Sequence, residues 1–402
     1  MSCALGVSLR DFPFPYRAMV SICSDLDETP SLESYLEISR FLNTTDVTQF
    51  GNGLDLEVGN TIYFHMPEGA FSYWNTTRAG REVLRQLIRS GHIDCFHSYG
   101  DSATSRQHVR ETLDDLKKHG CKLRVWIDHA IAPTNFGKDI MQGKGDVEDD
   151  RAFHADLTIA HGVEFVWMGR VTSIVGQNSY SDFGSIFSTK YPLSSTVTFF
   201  KEFGKRVAGQ MGSAKYEMHR SNELLRQTSL RSGQEVWEFI RSNPHACGVS
   251  VGDRGDRIAE VMTASMLNRL VQKGGVSVLY THLGKARDEE SILPEESIQA
   301  LTGLAERARS KEILVTTTRR LLDYCRNVGS LRWNVVRDNG QLIFDIETGG
   351  RRADGLSFYV PREESIVVKI DGVVRNDFVM FEADHTGRAG FSIPWKKLPY
   401  PI

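Results

Sequence analysis

The sequence predicts an α/β protein, in which a barrel of alternating strands and helices is followed by a small antiparallel β-domain. From about residue 17 to residue 320, short apolar runs alternate with amphipathic stretches, which is typical of repeated strand–helix units. After about residue 328, only short strand-like runs follow, and turn signals such as Asp371-Gly372 separate them. These features predict a barrel over residues 1–325 and a small β-sandwich-like domain over residues 326–402.

Strands of the barrel are predicted at the short apolar runs. A strand that is buried on both faces of a parallel sheet is apolar along most of its length. The predicted strands cover residues 17–23, 93–96, 123–127, 163–167, 276–281 and 313–316.

Helices are predicted where apolar residues recur at helical spacing between these strands. Gly91 and Gly120 end two of them, and Pro294 begins the last one. The segment from Tyr180 to Phe203 is rich in Ser, Thr, Gly and Phe, and it is interpreted as an insertion or a lid. The predicted helices cover residues 32–42, 78–89, 104–119, 258–273 and 294–310.

Composition excludes several classes of protein. Hydrophobic residues make up 40% and charged residues 25% of the chain, which is ordinary for a globular protein and excludes a disordered one. The 48 Lys and Arg residues nearly balance the 51 Asp and Glu residues. The sequence shows no basic stripe of the kind that nucleic-acid-binding proteins usually carry, so nucleic-acid binding is not expected. No stretch approaches the roughly 18 apolar residues of a membrane helix, so no transmembrane segment is expected.

The cysteines and the N-terminus bear on the cellular compartment. The six cysteines are scattered and form no C-x-x-C pair, which argues against a zinc ribbon and a disulfide framework. The first ten residues show no basic segment followed by an apolar one, so no signal peptide is expected. The expected location is cytoplasmic.

Acidic and histidine side chains follow the ends of four predicted strands. In a parallel α/β fold, the residues that leave the carboxyl ends of the strands face the active site. Carboxylates and imidazoles bind metals and transfer protons, so their convergence predicts a catalytic site. The four sets are Asp25 with Asp27, His97 with Asp101, Asp128 with His129, and His282.

Each set also has a structural explanation when it is taken alone. Asp25 and Asp27 would then form a solvated turn that caps the helix beginning near Leu32. His97 would be a packed core histidine, and His282 would cap a neighbouring loop.

Residues 91–101, with the sequence GHIDCFHSYGD, resemble the second motif of the polysaccharide deacetylases, which form carbohydrate esterase family 4. That motif commonly reads G-H-x-x-x-x-H-[ST]-x-x-H. Gly91, His92, His97 and Ser98 match it in register, whereas Asp101 stands in place of its last histidine.

Two further segments are similar to motifs of this family. The strand that ends in Asp25-Leu26-Asp27 is similar to the first motif, in the spaced form seen in lipid-linked aminosugar deformylases. The run that ends in His282 is similar to the final L-x-H motif, with one extra residue. The resemblance covers about residues 17–285. The third motif, R-x-P-Y, is absent, and Asp128-His129 stands in its neighbourhood.

The resemblance implies the family's irregular (β/α) barrel and a role for each matched residue. It implies Asp25 as catalytic base and His282 as general acid. It also implies a divalent metal, Zn²⁺ or a harder first-row ion, because one histidine with two carboxylates is a harder ligand set than usual. The implied ligands are Asp27, His97 and Asp101, with His129 as an alternative.

The implied function is a metal-dependent hydrolase that removes an acyl group from an N-acylated sugar in polysaccharide or glycolipid metabolism. Its partner would be a carbohydrate or glycolipid substrate. Arg170 is a candidate to hold a substrate carboxylate or phosphate, and a salt bridge is the alternative. Trp74 is a candidate to stack on a sugar, and packing in the core is the alternative.

Two other classes of function remain open from the residues alone. A glycoside hydrolase on a related barrel would pair Asp25 or Asp27 with Asp101 or Asp128. A non-catalytic relative would bind sugar without metal and without turnover, and its β-domain would recognise a glycan or a partner.

Overall fold

A curled, mostly parallel sheet of eleven strands lies at the centre of the described residues, with helices around it, two four-stranded sheets and one short two-stranded sheet. The computed structural model describes residues 5–26, 28–130, 132–286, 292–362 and 364–402. The strands, in chain order, are β1 Ser8–Leu9, β2 Ala18–Ser24, β3 Val47–Thr48, β4 Gly51–Asn52, β5 Asn60–Ile62, β6 Ile93–His97, β7 Val125–Ile127, β8 Phe165–Trp167, β9 Val171–Thr172, β10 Leu225–Ser229, β11 Glu235–Phe239, β12 Arg241–Ser242, β13 Val276–Thr281, β14 Ile313–Val315, β15 Arg332–Asp338, β16 Gln341–Glu347, β17 Ser357–Tyr359, β18 Ser365–Ile370, β19 Val373–Arg375, β20 Val379–Phe381 and β21 Gly390–Ser392.

Along the chain, most helices connect one strand of the central sheet to the next. They are α1 Leu32–Asn43, α2 Arg78–Ser90, α3 Arg106–Lys118, α4 Ala155–His161, α5 Pro192–Gln210, α6 Glu217–Ser221, α7 Ile258–Val261, α8 Ala264–Lys273, α9 Glu295–Arg309 and α10 Thr318–Ser330. In the described part of the chain, no helix is both long enough and apolar enough to cross a membrane.

The central sheet has the order β10-β11-β8-β7-β6-β5-β2-β13-β12-β9, and β14 also pairs with β2. Every pair in it is parallel except β10 with β11. Only Ile240 separates β11 from β12, although these strands stand near opposite ends of the order. The sheet therefore curls into a half-barrel, and the predicted α/β class is confirmed in this coarser form.

Local sequence explains the elements that carry the site. β2 is buried along its whole length and pairs with β13 at six positions, as expected for a central parallel strand. The hydroxyl of Thr77 accepts a hydrogen bond from the backbone N–H of Gly80 and begins α2. Gly91 ends α2 with φ 88°, a left-handed conformation that glycine adopts without strain.

Three helical segments differ from the sequence-based expectation. The predicted helix over 258–273 is interrupted, because the hydroxyl of Thr263 accepts from the N–H of Met266 and begins α8 as a separate helix. A long helix, α5, begins inside the predicted insertion or lid with Pro192 in its first turn and extends beyond Phe203 to Gln210. The helix α10 was not predicted, and it covers the proposed boundary between residues 325 and 326.

The strands after α10, together with the N-terminal β1, form two four-stranded sheets that share one apolar cluster, which includes Phe344, Phe358 and Phe391. Their orders are β15-β16-β18-β19 and β1-β17-β21-β20. The expectation of purely antiparallel strands is wrong for β16 and β18, which are parallel. Between them the chain passes through the other sheet as β17, so it returns to the first sheet in the same direction.

Replacing Phe344 by alanine should lower the free energy of unfolding by about 3–5 kcal/mol, because it leaves a cavity in the shared apolar cluster. Phe344 is fully buried and its ring lies 4.8 Å from that of Phe391. Urea unfolding measures the change. The exposed Val374 is the control, and Val374→Ala should change stability by no more than about 0.5 kcal/mol. Equal effects of the two substitutions would contradict the shared core.

Candidate functional site

Four neighbouring parallel strands bring their following side chains to one edge of the central sheet. β2, β5, β6 and β7 are adjacent in the sheet order. Asp25 follows β2, Tyr63 follows β5, His97 ends β6, and His129 lies two residues after β7. Because parallel strands end at the same edge, these four side chains lie together.

Asp25 forms a buried ion pair with Arg241, the first residue of β12. The Arg241 Nη1 lies 3.1 and 2.9 Å from the two carboxylate oxygens of Asp25. Both side chains are almost completely buried. A charge-assisted bond of this kind holds the carboxylate in place, and removal of either partner would leave the other charge buried without compensation.

Two aromatic rings enclose the guanidinium of Arg241. Its central carbon lies 3.6 Å from the ring centroid of Trp167 and 4.3 Å from that of Tyr280. Burial by itself would lower the pKa of Arg241, but Asp25, Cys23 and Tyr280 act together in the opposite direction and raise that pKa above its ordinary value. The site therefore contains a permanent cation bonded to Asp25 and packed between faces that favour a positive charge.

His97 lies beside the carboxylate of Asp25. Its Nε2 is 3.5 Å from Asp25 Oδ2, and its ring stacks on the ring of Tyr63 at 4.5 Å. The hydroxyl of Tyr63 lies 2.8 Å from Nδ1 of His129. Tyr63 thus joins the two histidines, since it touches both.

His129 links this buried group to the surface. Its ring lies 4.8 Å from the ring of His97, and its Nε2 lies 3.2 Å from Oδ1 of Asp101, a residue exposed to solvent. Asn135 fixes the backbone of His129: the N–H of His129 donates to Asn135 Oδ1 at 2.9 Å, and its carbonyl accepts from Asn135 Nδ2 at 2.8 Å. The described contacts therefore run from buried Asp25 to exposed Asp101.

Asp128 braces the loop after β7. Its oxygens accept hydrogen bonds from the Trp126 indole and from the backbone N–H groups of Phe136 and Gly137. Burial raises the pKa of Asp128 to about 7, although these three donors act in the opposite direction. The predicted Asp128 is thus bound on both oxygens by its own loop, which supports a structural role.

His282 follows the strand that pairs with β2. Ser24 is the register partner of Thr281, so Asp25 and His282 leave neighbouring strands at the same level. The Nδ1 of His282 lies 2.5 Å from the carbonyl oxygen of Asp253, and because a carbonyl only accepts, Nδ1 carries a proton. The Tyr280 ring packs against His282 at 5.2 Å and also covers Arg241.

The two predicted substrate contacts lie in packed surroundings. Arg170 is buried, and its guanidinium is bonded to Asp139 at 3.0 Å and paired with Glu238 at 3.2 Å. Trp74 is half-buried and packs on Tyr73 at 5.0 Å. These contacts match the structural alternative for each residue, and the substrate roles stay predictions.

The metal ligands implied by the resemblance are only partly described. His97 lies beside Asp25, and Asp101 lies beside His129. Asp27 lies outside the described residues. Among the residues that are described, no three His, Cys, Asp or Glu side chains are grouped to hold a metal ion. The described residues alone therefore do not form a complete metal site.

Sequence reasoning missed Arg241, Tyr63 and the ring of Tyr280 as site residues. Each stands at or next to the carboxyl end of a parallel strand. The run over residues 235–240, Glu-Val-Trp-Glu-Phe-Ile, precedes Arg241 and is rich in the β-branched and aromatic residues that favour strands. Applying the strand-end rule to this run would have identified Arg241.

The chain was compared with known protein families, curated proteins and solved structures. No family model, no curated protein and no solved structure matches it. The resemblance to the deacetylase motifs therefore rests on the quoted residues.

Replacing Arg241 by methionine should lower the free energy of unfolding by about 3–5 kcal/mol, because Asp25 then remains buried without its cation. The double variant Asp25→Asn with Arg241→Met removes both charges, so it should recover most of that loss. Urea unfolding of the wild type, both single variants and the double variant measures this. A loss below about 1 kcal/mol for Arg241→Met, or no recovery in the double variant, would refute the pair's importance.

Proposed function

We propose that the chain is a hydrolase that removes an acyl group from an N-acylated sugar. The main support is the position of Asp25 and His282 at the same level on paired strands β2 and β13, with His97 beside Asp25. Hydrolysis of an amide needs a base that activates water and an acid that protonates the departing amine. A carboxylate and an imidazole at one sheet edge suit this pair of roles.

Asp25 is the proposed base. Arg241 bonds both of its oxygens and holds the carboxylate in a fixed position at the end of β2. In the proposed step, Asp25 takes one proton from a water molecule. The water oxygen bonds to the acyl carbon, and the carbon–nitrogen bond then breaks.

His282 is the proposed acid. Its Nδ1 proton is held at the Asp253 carbonyl, so Nε2 is the nitrogen that can transfer a proton in the protonated ring. The amine leaves with this proton because an amine anion is a poor leaving group. Histidine suits the step because its unperturbed pKa of about 6.5 lies near neutral pH.

A divalent metal remains part of the proposal. Such an ion would supply Lewis acidity toward the acyl oxygen and toward bound water. The described residues offer His97 near Asp25, with Asp101 and His129 next to each other. A complete site would need Asp27 as a further ligand, and this makes Asp27 the residue to test.

Asp25 should be required for release of free amine from N-acetylated chito-oligosaccharides. Because Asp25→Asn alone leaves Arg241 buried without a partner, the test uses the double variant Asp25→Asn with Arg241→Met, after its fold has been checked by urea unfolding. Loss of the base should lower turnover by roughly 10²–10⁴-fold or more. Arg337→Met, an exposed substitution, is the control and should keep wild-type turnover.

The products separate this proposal from its alternatives. A new reducing end without free amine would indicate a glycoside hydrolase instead. Binding of the oligosaccharide without either product would indicate a non-catalytic carbohydrate-binding protein. Each of these results would contradict the proposed deacylase.

His282→Ala should lower turnover on the same substrate by roughly 10²–10⁴-fold, the usual contribution of a general acid or base. The bound metal should stay unchanged, because His282 is assigned to proton transfer. Loss of metal from this variant would make His282 a ligand instead. Unchanged turnover would remove the acid role.

Asp27→Asn should lower the divalent metal content of the purified protein, measured by elemental analysis and by titration with Zn²⁺ and Mn²⁺. Removing a charged oxygen ligand weakens a site that has few ligands. Asp377→Asn, on an exposed ion pair with Arg375, is the matched control and should bind as the wild type does. A wild-type protein that binds neither ion would contradict the metal requirement.

A further inference from the structure

Helix α5 carries a stripe of exposed apolar side chains. Within the helix, Leu193 is 83% exposed, Phe200 is 64% exposed and Val197 is 54% exposed. Met211, the residue that follows the helix, is also 83% exposed. These residues are spaced by four, three and eleven positions, and at about 3.6 residues per turn they share one face. The opposite face is buried, through Ser195, Thr198, Glu202 and Gly209.

Phenylalanine rings extend this stripe into a wider surface. The ring of Phe199 lies 5.0 Å from Phe187, 5.9 Å from Phe183 and 6.0 Å from Phe203. Phe187 and Phe203 are themselves exposed. Of the fifteen strongly exposed large apolar side chains in the described residues, seven lie between residues 180 and 211. A patch of this density marks an interaction surface.

The same segment is positively charged. Residues 183–211 contain Lys190, Lys201, Lys205 and Arg206 against the single acidic residue Glu202, a net charge of +3 in a chain of net charge −3. Glu202 is buried, where it accepts from Lys205 at 2.6 Å. Lys190 and Lys201 are exposed beside the apolar stripe. Residues 183–211 therefore present cations and apolar side chains with no exposed carboxylate among them, and Glu260 and Glu296 of other segments line a pocket with Lys190.

Helix α5 is bonded to β9, the last strand in the order of the central sheet. Lys205 donates to the carbonyl of Val171 at 2.9 Å, and the hydroxyl of Thr172 donates to Glu202 at 2.8 Å. Val171 and Thr172 form β9. Val171 is the register partner of Arg241 on β12. β9 therefore lies between helix α5, which it supports, and β12, which carries Arg241.

We propose that α5 and the preceding residues 183–187 dock onto an anionic lipid membrane surface. The apolar stripe would enter the boundary between headgroups and acyl chains, while Lys190 and Lys201 contact the negative headgroups. An amphipathic helix with a bulky apolar face and basic neighbours binds membranes in this way. The charge complementarity favours an anionic surface over a neutral one. Vesicle binding requires no turnover, so this inference stands apart from the proposed hydrolase activity.

The test is co-sedimentation of the full chain with large vesicles of phosphatidylcholine alone, and of phosphatidylcholine mixed with phosphatidylglycerol. The wild type should bind the anionic vesicles more tightly, and added salt should weaken that binding. The double variant Val197→Ser with Phe200→Ser should lower the affinity by about tenfold or more, since two large apolar side chains no longer enter the membrane.

A matched control comes from the C-terminal sheets. Val374 is 53% exposed, almost the same as Val197, and it lies far from α5 in the sequence. Val374→Ser should leave vesicle binding unchanged. Lys201→Glu should weaken binding to the anionic vesicles only.

Three results would overturn the proposal. The first is that the wild type does not bind anionic vesicles. The second is that the double variant binds them as tightly as the wild type does. The third is that Val374→Ser weakens binding as much as the double variant does. Sedimentation velocity gives a further decision: a wild-type dimer that Phe200→Ser converts to a monomer would make this face a contact between two copies of the chain.

Discussion

The buried ion pair between Asp25 and Arg241 is the interaction on which the candidate site depends. Two charges in a low-dielectric interior are stable only when each compensates the other. The pair therefore fixes the end of β2, which Asp25 follows, relative to β12, which Arg241 begins. β13 lies between these strands and pairs with both. The rings of Trp167 on β8 and Tyr280 on β13 enclose the same guanidinium, so β8 is a further strand in this arrangement.

From this pair the site extends outward through side chains of increasing exposure. His97 and Tyr63 are buried, His129 is half-buried, and Asp101 reaches solvent. A base at the inner end of such a series is shielded from bulk water, whereas a substrate would approach from the outer end. The proposed hydrolysis uses this difference in environment, since Arg241 holds the buried carboxylate of Asp25 in place at the inner end.

The sheet that holds the site also supports α5, through its last strand β9. β9 forms two hydrogen bonds with side chains of this helix. Its backbone also pairs in parallel with β12, so the helix and β12 are held on the same strand. A single short strand therefore connects the exposed apolar helix with the cation that orients Asp25. If the helix lies on a membrane, this edge of the sheet is held close to the lipid surface.

The sequence by itself determined the α/β class, the order of most strands and helices, and the positions of Asp25, His97 and His282 at strand ends. These features follow from local hydrophobic periodicity and from helix caps such as Gly91, which need no distant partner. Only the tertiary structure placed Arg241 against Asp25, because 216 residues separate them and no local pattern states which strands become neighbours. The same reason applies to the parallel pairing of β16 with β18, where the intervening strand joins another sheet.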